Sequence, residues 1–266
     1  MASAFLLPSI LVTNDDGIDA PGIKILIEIA GEIAREVWVV APEKEQSGAG
    51  QSISLCRPLR CASLGDRRWT VDGSPSDCVV LALSHFMAKV KPSLILSGVN
   101  AGPNIGDEVN MSGTIGAALT ALMLDVPAIA ISQSYKDRQQ VPWQTTRAVL
   151  PRILHHLLTQ GWRKETCLSI NIPDLPADKI TGFSWARQSH KNISSLKAEK
   201  RVSPRQEEYY WLSLARKTPA GTPNSEGAIM RRNEVAVTAL SLDRSVEITK
   251  PSFAFSDPEL LNDDDA

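Results

Sequence analysis

The amino-acid sequence predicts an α/β fold built on a mostly parallel sheet. Two patterns predict it. Short apolar runs recur at residues 10–12, 37–40, 94–96 and 128–131, as strands buried on both faces would read. Between them stand segments whose apolar residues repeat at helical spacing, and a strand–helix–strand cadence implies right-handed βαβ units and a parallel sheet. The chain has 266 residues, 43 % of them hydrophobic, enough for a substantial core.

The elements follow in order. The run at 10–12 leads through a turn to Ile23, Ile25, Leu26, Ile29, Ala30 and Ile33, spaced as one helix face. Residues 37–40 form the second run. Ser74-Pro75 reads as an N-cap with a first-turn proline, opening a helix through Val79, Val80, Leu83, Phe86 and Met87. After the third run, Ile115, Leu119, Leu122 and Met123 mark another helix, and 128–131 the fourth strand. Residues 1–135 thus read as a Rossmann-like core that carries the site. A helix over about 143–158 and a strand at 167–172 extend it within one domain spanning 1–266. Beyond Pro173 the character changes. Residues 187–217 hold many Lys and Arg with little periodicity, 207–212 (EEYYWL) reads as one arm of a hairpin, and 235–240 returns to strand character. Residues 180–230 are expected to protrude as an arm, and 256–266 to form an acidic, solvated tail. Tyr209, Tyr210 and Trp211 suit an interface, so a homodimer or homotetramer is expected, with a folded-back monomer as the alternative.

Composition narrows the function. With 28 Lys+Arg against 30 Asp+Glu the net charge is -2, so nucleic acid is not expected as a partner. Cys56, Cys61, Cys78 and Cys167 lack CxxC spacing, and free thiols are expected. The N-terminal apolar stretch is too short to span a membrane and has no basic flank. A cytoplasmic protein is the expectation.

The chemistry sits in loops after the apolar runs, where ligands of open α/β sheets bind. Thr13-Asn14-Asp15-Asp16-Gly17 follows the first run. Two carboxylates converging at a strand-to-turn junction repel unless a cation lies between them, and their oxygens suit Mg²⁺ or Mn²⁺. A solvated turn with an aspartate N-cap is the competing reading. The second run ends in a loop containing Ser47-Gly48. The third leads into a Gly- and Asn-rich loop, residues 97–114, ending Ser112-Gly113-Thr114 at a helix start. Helix N-terminal amides and two hydroxyls describe a phosphate cradle. Neither a Walker A loop nor GxGxxG is present. A metal site beside a phosphate cradle implies phosphoryl chemistry.

ILVTNDDGIDAPGI, VVAPEKEQSGAGQSIS, VDGSPSDCV and SGVNAGPNIGDEVNMSGTIGAA, in that order, resemble the SurE family of survival proteins, strongly over the first ~135 residues and loosely beyond. The resemblance implies a SurE-like fold, a Rossmann-like core with a protruding C-terminal arm used in oligomerisation. It also implies metal-dependent phosphatase activity, that of a 5'-nucleotidase acting on nucleoside monophosphates, with 3' activity in the family. Asp15, Asp16, Ser47 and Asn100 fall on the family's ligands for one divalent cation. Asn104, Ser112, Gly113 and Thr114 fall on its substrate-side loop, and Asp15 or Asp16 is the expected base. The chain departs from the family's pattern at Met111 (Tyr), Glu108 (Asp) and Thr120 (a nearby Glu), and Asn224-Ser225-Glu226 stands roughly where Gly-Thr-Asp is usual. A degenerate nucleotide-binding relative with weak turnover is therefore the alternative, and a non-enzymatic binding module resting on the basic segment 187–217 a further one. His85 is expected to be packed on its helix, His155 and His156 to be a surface pair, and His190 to lack a partner.

Overall fold

A computed structural model describes residues 5–217 and 222–246; the acidic tail lies outside them. The first half runs β1 (Leu7–Thr13), α1 (Pro21–Ile33), β2 (Ala34–Pro42), β3 (Cys61–Gly65), β4 (Arg68–Val71), α2 (Pro75–Leu81), β5 (Leu94–Ala101) and α3 (Gly113–Met123). Then come β6 (Ala128–Gln133), α4 (Trp143–Gln160), β7 (Thr166–Ile172), β8 (Gly182–Ala186), β9 (Ile193–Val202), β10 (Glu208–Arg216), α5 (Glu226–Arg231) and β11 (Glu234–Ser241). Nine strands form one sheet in the order β3-β4-β2-β1-β5-β6-β7-β11-β8. The strands from β4 to β7 run parallel, β3 pairs antiparallel with β4, and β11 antiparallel with β7.

The continuous apolar runs have a simple cause. Successive side chains of a strand point to opposite faces, and both faces are covered. Ile10, Val12, Leu94 and Leu96 pack with Ile23 and Leu26 of α1 and Leu150 and Leu154 of α4. Leu11 and Ile95 pack with Val79 of α2 and Ile115 and Leu119 of α3 on the other side. Close packing of α1 on β5 depends on Gly22, where a Cβ would lie 1.9 Å from the Val99 carbonyl oxygen.

Helix starts follow the sequence. Ser74 caps α2, accepting from the Asp77 amide, while the Asp77 carboxylate accepts from the Ser74 amide, a reciprocal capping box. The single helix expected from residue 79 to 87 is instead α2 followed by a π-turn over Ala82–Phe86. That turn rotates His85 outward. It is exposed, with its ring against Phe86 at 5.2 Å, which corrects the packed position expected of it. His155, His156 and His190 are exposed.

Strands β3, β4, β8 and β9 were not legible. β3 is exposed throughout and β9 almost so, so neither carries an apolar run. Residues 180–230 divide in the structure. β8 and α5 lie with the main sheet, whereas among the described residues β9 and β10 pair only with each other, as a two-stranded antiparallel ribbon.

The chain passes from β1 to β2 on one side and reaches β5 on the other. The strand order therefore reverses at β1/β5, and the crevice beyond their carboxyl ends is where such sheets bind ligands.

Candidate active site

Asp15 and Asp16 leave β1 at that crevice. Gly17, at φ +98°, takes the left-handed conformation that a glycine adopts without strain, and Asn14 Nδ2 closes the turn by donating to the Gly17 carbonyl at 2.8 Å. The Asp15 side chain is buried, and its Oδ1 accepts from Thr114 Oγ1 at 2.5 Å. Asp16 is half-buried, and its Oδ2 accepts from the Ala101 amide at 3.0 Å, at the end of β5. One residue earlier, Asn100 donates Nδ2 to the Gly102 carbonyl at 2.8 Å. Its Oδ1 has no protein donor among the described residues. Ser47 is exposed and donates Oγ to Glu45 Oε1 at 2.7 Å.

Ser47 sits on a long loop, yet the loop is fastened at several points. The Gln46 amide donates to the Asp15 carbonyl at 2.7 Å and the Gly50 amide to the Met111 carbonyl at 2.9 Å. Ser74 Oγ donates to the Ser52 carbonyl at 2.6 Å, and the Ser54 amide and hydroxyl both donate to Asp77 at 2.8 Å. The VDGSPSDCV stretch therefore acts at one remove. It supplies no cleft residue and ties down the loop that does.

Ser112 caps α3, its Oγ accepting from the Ile115 amide at 3.1 Å. At Gly113 a Cβ would lie 2.8 Å from Asp15 Cβ, so only glycine lets the helix N-terminus come this close to the carboxylate. Ser112 faces the cleft; Thr114 is fully buried and spends its hydroxyl on Asp15. Asn104 also reaches the cleft, held by Nδ2 donating to Ser132 Oγ and its amide donating to Asn171 Oδ1, each at 2.8 Å.

The electrostatics are those of a carboxylate pair that burial disfavours, with the Arg138 charge offsetting part of the cost at Asp16. Burial pushes the Asp15 carboxyl up to about 6; the Thr114 hydroxyl opposes this and the Asp16 charge adds to it. Burial raises Asp16 as well, with Glu45 adding. Among the described residues no Lys or Arg forms an ion pair with either aspartate; Arg138 pairs with Glu45 at 3.1 Å. Two carboxylates, an amide oxygen and a hydroxyl form a donor set of hard oxygens, which fits a divalent cation of the Mg²⁺ or Mn²⁺ kind.

All four groups line a cleft of about 690 Å³. Its other walls hold residues that sequence reasoning missed: Tyr135, Lys136 and Arg138 after β6, and Leu212, Leu214 and Arg216 of β10. The first three follow the carboxyl end of a parallel strand, so the strand-end rule would have found them. The last three come from the ribbon, which no local signal places over the cleft.

Known proteins agree with this architecture. The crystal structure of the SurE protein from Aquifex aeolicus superposes with a TM-score of 0.76 at 32 % identity, covering 90 % of this chain and 95 % of that one. The family model for survival protein SurE matches residues 10–195. This chain belongs to the SurE family. Among SurE relatives, the 5'-nucleotidase SurE 1 of Burkholderia lata is 44 % identical over 240 residues, covering 90 % of this chain and 93 % of the relative. The 5'-nucleotidase SurE of Parvibaculum lavamentivorans is 41 % identical over 236 residues, covering 88 % and 85 %. In this SurE chain Glu108, one of the departures from the family's pattern, is buried and accepts from Arg216 and from Asn192.

Proposed function

We propose that the chain is a divalent-cation-dependent phosphatase of the 5'-nucleotidase type, hydrolysing nucleoside 5'-monophosphates, and 3'-monophosphates as well, to nucleoside and phosphate. The observation that carries this reading is the Asp15–Asp16 pair, one buried and one half-buried, with no Lys or Arg among the described residues ion-paired to either, beside a helix N-terminus in one cleft. Asp15, Asp16, Asn100 and Ser47 would hold one Mg²⁺ or Mn²⁺. Such an ion supplies Lewis acidity toward a phosphoryl oxygen and an acidic water. Thr114 fixes the Asp15 carboxylate through its 2.5 Å hydrogen bond, and the Ala101 amide fixes that of Asp16. Ser112 and Asn104, which line the cleft, would meet the terminal phosphate with preorganised polar groups, together with the α3 N-terminus that begins at Gly113. Either aspartate would take a proton from the attacking water.

The decisive experiment is phosphate release from a panel of nucleoside monophosphates with Mg²⁺ or Mn²⁺. Release is expected across bases, abolished by EDTA and restored by the ion. Aryl phosphates are expected to be substrates too, and phosphodiesters poor ones, because the cradle is built for a terminal phosphoryl group. No release from any monophosphate, or faster cleavage of diesters, would overturn the reading.

The working assembly is a homodimer or homotetramer in the cytoplasm. Tyr209 and Trp211 alternate with the cleft-facing residues of β10 and lie on the ribbon's other face, 43 % and 65 % exposed. Exposed aromatics on a two-stranded ribbon suit a second copy. Light scattering at micromolar concentration is expected to give twice or four times the chain mass; a monomer mass would refute the assembly. No helix among the described residues is long and apolar enough to cross a membrane.

A further inference from the structure

Residues two apart on a strand share a face, so Leu212, Leu214 and Arg216 project together from β10. All three line the cleft that holds Asp15, Asp16, Ser47 and Asn100. Leu212 is 83 % exposed and presents bare apolar surface to this cleft. Leu196 of β9 pairs across the ribbon with Leu214 and extends the apolar face. The same cleft is lined by Met111 and Ser112, at the helix start assigned to the phosphate.

The ribbon does not rest over the cleft loosely. Glu108, in the turn four residues before Ser112, accepts three hydrogen bonds from the Arg216 guanidinium, at 2.7, 2.9 and 3.0 Å, and one from Asn192 Nδ2 at 3.0 Å. The Glu108 side chain is 8 % exposed, and a two-pronged guanidinium–carboxylate pair fixes orientation as well as distance. Asn192, just before β9, also donates to the Ile105 carbonyl at 3.0 Å and accepts from the Asp107 amide at 2.7 Å. Both strands of the ribbon are thereby bolted at their base to the loop that ends in the cradle.

We infer that Leu212 and Leu214 form the wall that receives the nucleoside half of the substrate, and that the Glu108–Arg216 pair is a positioning latch that sets the spacing between this wall and the phosphate cradle. This rests on the nucleotidase reading and deepens it. The cradle recognises a phosphate on any group; the wall makes a nucleoside the preferred group. The cleft volume of about 690 Å³ lies within the ~300–1,000 Å³ usual for small-molecule sites.

The test compares a nucleoside 5'-monophosphate with methyl phosphate, which has no nucleoside, in the full chain with Mn²⁺. In Leu212→Ala/Leu214→Ala and in Arg216→Ala the preference for the nucleotide, as a ratio of kcat/KM, is expected to fall about tenfold, through KM rather than kcat. Inhibition of methyl phosphate hydrolysis by the free nucleoside should weaken by a similar factor, and Arg216→Lys, which keeps the charge but not the fork, should lie between. The leucine variant changes two ribbon side chains outside the core, so it remains informative if Arg216→Ala misfolds. Equal losses on both substrates, or an unchanged preference, would overturn the inference while leaving the phosphatase reading intact. No phosphate release from either substrate by the unaltered chain would overturn both.

Discussion

Replacing Asp15 with Asn should remove phosphate release and, at neutral pH, make the ion-free chain more stable. Both halves follow from one environment. The Asp15 carboxyl is buried, its ordinary value near 3.8 is pushed up to about 6, and its neighbour Asp16 is raised as well. In the unfolded chain the proton leaves near 3.8; in the folded chain it stays on until about 6. Between those values the folded state holds more protons than the unfolded one, so stability falls as pH rises and levels off above about 6. The fall due to Asp15 is on the order of 3 kcal/mol. Asparagine has nothing to ionise and keeps an oxygen for the Thr114 hydroxyl, so the variant should lack this fall and exceed the parent above pH 6. With a divalent ion the order should reverse, because the ion stabilises only the chain that holds the carboxylate. Turnover should drop about 10³-fold or more, in the range lost when one preorganised electrostatic group is removed. Urea melts at pH 4.5 and 7.5, with EDTA and with Mn²⁺, check the first part, and phosphate release the second. A variant that kept its Mn²⁺-dependent turnover would remove Asp15 from the site.

The parts of this site that were legible in the sequence are those that local chain geometry dictates. Asp15, Asp16 and Asn100 stand where parallel strands end, and the period of the apolar runs located those ends. Ser112 stands at a helix start whose cap is written in its residue type. What was not legible depends on distant pairing. Thr114 reads as a cradle hydroxyl, but the tight approach of α3 at Gly113 turns it onto Asp15, 99 residues away in sequence. Glu108 reads as a departure from a motif. Its role appears only when Arg216, 108 residues later, folds back over it. The ribbon itself has polar and charged residues on both faces, because neither face joins the core. Hydrophobic periodicity, which reports burial, had nothing to report there.

Gly116→Ala should be among the most damaging single-methyl changes in this chain, although it lies in a helix where alanine is normally favoured. A Cβ at Gly116 would lie 2.0 Å from the Gly50 carbonyl oxygen and 2.9 Å from the Gln51 amide nitrogen. Both are backbone atoms of the loop that carries Ser47, so no side chain can swing aside. The loop must move, although the bonds from Gly50 to Met111, just before α3, and from Ser74, the α2 cap, to Ser52 hold it in place. Overpacking of this kind costs about 1–3 kcal/mol, and displacing Ser47 from Asp15 and Asp16 should lower turnover as well. Gly31 provides the contrast. It lies in α1, is exposed, and has nothing within 4 Å of where a Cβ would sit. Gly31→Ala should therefore show helix propensity alone, a gain of about 0.5–1 kcal/mol, with turnover unchanged. Urea midpoints of the two variants should move in opposite directions. If Gly116→Ala melted and turned over like the parent, the loop bearing Ser47 would not be packed on α3, and Ser47 could not be held at the site by the contacts described above.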